Sequence, residues 1–120
     1  MEKKEVKEVK PIIIKDNETG EAYTLEFTRE SVFYAQKFKD FNIDEISTKP
    51  MVAIPALFEY SFRAHHPNVS KTKIDALFAG MHGMPPGMLE RLVELYYAPY
   101  TYLTKTDEDD EKNASVTVEL

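Results

Sequence analysis

The chain has 120 residues, no cysteine, no tryptophan and a formal net charge of −6. That length supports one hydrophobic core, and the lack of cysteine excludes disulfides, thiol catalysis and Cys-ligated zinc or iron–sulfur centres. The acidic balance argues against a duplex nucleic-acid partner gripped through its phosphates, and no run approaches the roughly 20 apolar residues of a membrane span.

Residues 1–10 mix Lys and Glu around Val6 and Val9. This predicts a charged flexible arm without the apolar stretch of a secretory signal, and so a cytoplasmic protein. Residues 11–103 are predicted to form a single globular domain. It opens on Ile12-Ile13-Ile14, a β-branched run of high strand propensity, and Asp16 to Gly20 supply turn chemistry. From Glu21 to Phe27 the residues alternate, with Tyr23, Leu25 and Phe27 on one face. A β-hairpin over residues 11–27 with one buried face follows, and it needs helices to cover that face.

The helices are expected within residues 29–98. Thr28 is placed to cap the first, with Glu30 in its opening turn and Val32, Ala35 and Phe38 at helical spacing. Phe41 to Ile46 reads as a short turn tucking Ile43 and Ile46 inward, and Thr48-Lys49-Pro50 as a second helix start. Ile54, Leu57, Phe58, Ser61, Phe62 and His65 form the next stripe, interrupted by Pro55, which either starts the helix or kinks its first turn. Ser70 should cap a third helix presenting Ile74, Leu77 and Phe78, with Gly80 as its left-handed end. A last helix carries Met88, Leu89, Leu92, Val93 and Tyr96 and stops near Pro99. The fold class predicted is α+β, mainly α: the hairpin packed on about four short helices.

Six acids against two lysines between Thr104 and Leu120 account for −4 of the net charge. Residues 104–120 therefore read as an acidic tail whose Asp107–Glu111 block repels itself and stays disordered. Val116, Val118 and Leu120 alternate at its end, enough for a short strand if a sheet edge is available.

No chemistry-bearing motif emerges. None of Ser31, Ser47, Ser61, Ser70 and Ser115 sits in a nucleophile elbow, and Gly80, Gly83 and Gly87 precede no Lys-Ser/Thr pair that would cradle a phosphate. His65-His66 with His82 is the one cluster to weigh as metal ligands. Adjacent histidines diverge on a helix, so the favoured reading is a helix C-terminus followed by a Pro stop. No catalytic residue, metal or cofactor is expected. What stands out is adaptable apolar surface. Met81 and Met84 in the loop before the last helix are flexible thioethers suited to an apolar partner, while Met88 begins a core stripe. Tyr97, Tyr100 and Tyr102 cannot all share one core with Tyr96, and tyrosine favours interfaces. These five residues, Met81, Met84, Tyr97, Tyr100 and Tyr102, are the candidate partner-binding set.

The hairpin IIIKDNETGEAYTLEF, the phrase LFEYSFRAHHPNVS, then KIDALFAGM and LVELYYAPY, together covering most of residues 11–103, resemble the small tail assembly chaperones of siphovirus-type phages and prophages, especially those of Gram-positive hosts. The resemblance is one of pattern and carries over no defined site. It implies a non-enzymatic chaperone in the bacterial cytoplasm, absent from the mature virion. Such a protein binds the tape measure protein and recruits the major tail protein during tail morphogenesis, and self-association is left open. It also implies a longer product made by programmed frameshift, for which Glu111-Lys112-Asn113 can be encoded as the slippery run A-AAA-AAY. The alternative is an acidic inhibitor or adaptor that binds a basic host protein through Asp107–Glu111. A helix-turn-helix DNA binder has only the thin stripe of Lys71 and Lys73 behind it.

Overall fold

The computed structural model describes residues 8–104 and 115–120. The Asp107–Glu111 block, the Glu111-Lys112-Asn113 triplet and most of the charged arm lie outside the described residues. The fold is mainly helical, with an N-terminal antiparallel hairpin packed against short helices. Strands β1 (Ile12–Lys15) and β2 (Ala22–Leu25) pair with Ile12 opposite Leu25 and Ile14 opposite Tyr23. The turn closes because Gly20, at φ +81°, lets its N–H reach the Asp16 carbonyl at 2.7 Å. The Asp16 carboxylate accepts from Glu18 N–H at 2.9 Å, and its second oxygen pairs with Lys73, far along the chain. Tyr23, Leu25 and Phe27 are buried, as their alternation requires.

Helix α1 (Arg29–Phe38) starts on a reciprocal cap: Ser31 N–H donates to Thr28 Oγ1 at 3.1 Å and Thr28 N–H donates to Ser31 Oγ at 2.8 Å. Val32 and Ala35 face the core, but Phe38 is 65% exposed. Phe38 lies within about 20° of the buried Ser31 around the helix, so its exposure goes with its place as the last residue of α1 rather than with its angle. The short α2 (Glu45–Thr48) is preceded by Phe41 and Ile43, which with Ile46 pack against the core.

Helix α3 (Pro50–Tyr60) begins at Pro50, with Pro55 inside it, so it does not start at Pro55. Its α-helical bonding ends at Tyr60, five residues before the His65 that the stripe was expected to reach, and the chain leaves through turns to His65. There Ser61 is buried and donates to Phe58 C=O at 2.6 Å. Helix α4 (Lys71–Gly80) is capped by Ser70 Oγ, which accepts from Lys73 N–H at 3.1 Å. Gly80 remains within α4, and the left-handed residues come later, at His82 (φ 56°) and Gly83 (φ 103°). Helix α5 (Met88–Tyr97) runs into a 3₁₀ turn (Ala98–Tyr102) holding the buried Pro99.

The core is one cluster in which Leu25, Leu57, Phe58, Leu92 and Tyr96 lose all contact with solvent. Burying a side chain of leucine or phenylalanine size is worth about 1.5–3 kcal/mol. Tyr96 is the hinge of the packing: its ring meets Phe27 of the hairpin at 5.3 Å and Phe41 at 5.6 Å, both edge-on. Helix α5 therefore ties the hairpin to the α1–α2 connection.

Candidate partner-binding surfaces

The two adjacent histidines are consumed by structure. Thr24 N–H, on the outer side of β2, donates to His66 Nε2 at 2.9 Å, so that nitrogen presents a lone pair and Nδ1 carries the proton. His65 Nε2 lies 2.7 Å from Glu26 Oε1, and Glu26 N–H donates to Ser61 C=O at 3.0 Å. The turns after α3 thus cover the outer edge of β2. This role replaces the helix-end reading of His65-His66, because α3 ends at Tyr60 and both histidines lie in the turns beyond it. It is not legible locally, because the strand partner lies some forty residues upstream. Among the described residues no group of three or more His, Asp or Glu is placed to hold a metal ion.

The lysines of α4 are likewise engaged. Lys71 pairs with Asp75 at 3.1 Å and Glu59 at 3.7 Å, and Lys73 with Asp16. The Lys73 hydrogen bond, helped by Glu18 N–H, holds the Asp16 carboxyl below its ordinary range.

Apolar surface lies at both ends of α5. A ten-residue helix is about 15 Å long, so the five candidate residues form two groups rather than one. At the start of α5 an open groove of about 580 Å³ runs beside β1, with Ile12, Ile14, Met81, Pro85, Met88 and Arg91 among its lining. Left-handed backbone at His82, Gly83 and Gly87 shapes the loop that forms its far wall. Arg91 Nη1 donates to Lys10 C=O at 3.2 Å at the other side. Met81 and Met84 are both half-buried and pack on the core, and Met88 is buried, as its place in the stripe required. Met81 lines the groove; Met84 does not.

At the far end of α5 lies an aromatic band. Tyr97 is 42% exposed, Tyr100 37% and Tyr102 75%, with Leu103 also exposed. The band is not loose. Gln36 of α1 donates through Nε2 to Tyr96 Oη at 2.7 Å and Tyr100 Oη at 3.1 Å. The Tyr100 ring also leans on Tyr97 at 5.1 Å. Burial pushes the Tyr96 hydroxyl up to about 12, and burial together with Asp44 raises that of Tyr97. On α1, Phe33 and Phe38 are exposed, their rings edge-on at 6.1 Å. Neither was in the candidate set: Phe33 lies about 100° round from Val32, off the buried face, and Phe38 is the last residue of α1. Exposed rings held by hydrogen bonds and neighbouring rings present rigid contact area at low entropic cost. They bring no nucleophile, base or oxyanion donor together.

Among the described residues no helix is long and apolar enough to cross a membrane. In comparisons with known proteins, residues 1–120 match the family described as Domain of unknown function (DUF5055). No curated protein and no solved structure matches the chain.

Proposed function

Since the chain belongs to the DUF5055 family, whose description assigns no activity, we propose from its surfaces that it is a non-enzymatic protein-binding chaperone. Its client is an apolar helical segment, and by the resemblance drawn from its sequence that client is a phage tape measure protein awaiting tail tube subunits. The observation that carries this reading is the aromatic band: Tyr97, Tyr100, Tyr102 and Leu103 stay exposed although the same fold buries Tyr96 and Pro99 beside them. Large apolar side chains left outside a well-filled core cost solubility and mark contact surfaces. Tyrosine suits such a surface because its ring packs while its hydroxyl remains hydrated.

The test is co-purification with a tape measure fragment. Tyr102→Asp places a charge in the most exposed part of the band, and Tyr97→Asp places one beside the core ring of Tyr96, 5.6 Å away. Each should weaken capture at least tenfold with an unchanged circular dichroism spectrum. Met81→Asp is the poorer probe, because Met81 packs on the core and the change would unsettle the fold. Full capture by the Tyr97→Asp/Tyr102→Asp double variant would remove the band from consideration.

A further inference from the structure

The hairpin is protected on one side only. Asp16 N–H donates to Glu21 C=O at 2.8 Å, and hydrogen-bonded and non-bonded pairs alternate along an antiparallel ladder. Ile14–Tyr23 and Ile12–Leu25 are therefore the bonded pairs, and Ile13–Thr24 and Lys15–Ala22 are not. Thr24 agrees, since its N–H points away from β1 and meets His66. By the same alternation Ile13 and Lys15 turn their N–H and C=O groups outward on the other edge. No described residue forms a hydrogen bond with them there. Beside that edge runs the groove of Ile12, Ile14, Met81, Pro85 and Met88. An unpaired edge strand flanked by an apolar groove is a template for strand addition.

The chain also carries a segment with a strand's alternation but no sheet to join. Val116, Val118 and Leu120 alternate with Thr117 and Glu119, and all three apolar side chains are exposed, outside any regular element. We propose that the segment Val116–Leu120 of a second copy of this chain adds to the β1 edge as a third strand. Period-two geometry then sets Val116, Val118 and Leu120 on the sheet face shared with Ile12 and Ile14, over Met81, Pro85 and Met88. Thr117 and Glu119 fall on the opposite face with Ile13 and Lys15, where Glu119 complements the Lys15 charge. In the structure the segment and the edge of one chain are not joined. Each copy offers one of each, so a reciprocal exchange satisfies both at once and closes a two-fold pair. The inference stands apart from the client-binding reading, which uses the other end of α5.

Sedimentation equilibrium of the full chain, from about 1 to about 500 µM, tests it, since a short ladder belongs to the weak class of interfaces. The weight-average mass should rise about twofold across the series. Val118→Lys, which leaves the folded body untouched, should stay monomeric throughout. Ile13→Pro removes one outward donor without breaking a bond to β2 and should do the same. A synthetic peptide of residues 115–120 added in excess should return the unmodified chain to monomer. A monomer at every concentration overturns the proposal, and so does association that survives Val118→Lys. Monomeric protein whose residue 116–120 amides are protected from hydrogen exchange would mean that the strand closes on its own chain, and would also overturn it.

Discussion

The bond from Thr24 N–H to His66 Nε2 is the most exposed point of the fold's logic, because one side chain supplies what a third strand would otherwise give. His66→Ala removes the acceptor from a partly buried amide at 2.9 Å and the ring that meets Tyr23 edge-on at 5.2 Å. A buried donor left without a partner costs about 1–3 kcal/mol. Thr24 is half-buried, so some water reaches it and the lower half of that range applies. The edge-on ring pair adds about 0.5–1.5 kcal/mol. The expected loss is therefore about 2 kcal/mol, a fall of roughly 5–12 °C in melting temperature for a domain of this size. Urea melts followed by circular dichroism give the first quantity, and hydrogen exchange at the Thr24 amide gives the second reading. That amide should exchange at least tenfold faster in His66→Ala, with the Ile14 and Tyr23 amides on the far side of the strand much less affected. His66→Gln, whose carbonyl can accept in place of Nε2, should recover part of the stability. If His66→Ala melts within about 0.5 kcal/mol of the parent and the Thr24 amide stays protected, water or another group covers that edge and the account of β2 given above is wrong.

Other expectations follow from the glycines and the hairpin turn. Gly80 is helical and a Cβ added there would meet nothing within 4 Å, so Gly80→Ala should stabilise by about 0.5 kcal/mol in denaturant melts. Gly83→Ala has the same free space but a φ of +103°, and should destabilise by about 1–2 kcal/mol. Asp16 titrates below its ordinary value of 3.8 because Lys73 and Glu18 N–H favour the carboxylate. Its contribution is therefore present above that value and is lost as pH falls through the lower folded value. Urea midpoints taken from about pH 5 down to about pH 2 should fall for the parent, and Asp16→Asn should start lower and fall less steeply.

Local signals were legible wherever the cause is local. Alternation placed Tyr23, Leu25 and Phe27 inside, and Thr28 and Ser70 capped the helices they preceded, because a cap needs only its next three residues. The stripe of Leu92 and Tyr96 was legible for the same reason. What escaped depends on distant partners or on where a helix outruns the core. His66 serves a strand 42 positions away and Lys73 a turn 57 positions away, and no spacing rule reports such pairings. Phe38 shares a face with the buried Ser31 yet is exposed as the last residue of α1, and periodicity does not report such an end. In the candidate surface, the Tyr97, Tyr100 and Tyr102 side chains are exposed, and the two Met side chains are half sunk beneath the loop. That contrast arises because the loop folds back over the core, which composition alone does not disclose.

The position of α5 has a consequence for biosynthesis. The first strand pair leaves the ribosome well before the groups that complete it: Ser61 and His66 for its edge, Lys73 for its turn, Leu92 and Tyr96 for its buried face. An isolated hairpin is marginal in water, and contacts between distant segments are gained only after the intervening loop is closed. The hairpin therefore gains its edge and turn partners only once residues 61–73 are made, and the full cover of its buried face only once α5 follows. A stall or a premature stop ahead of α5 would release a product whose β-branched leading segment lacks that full cover.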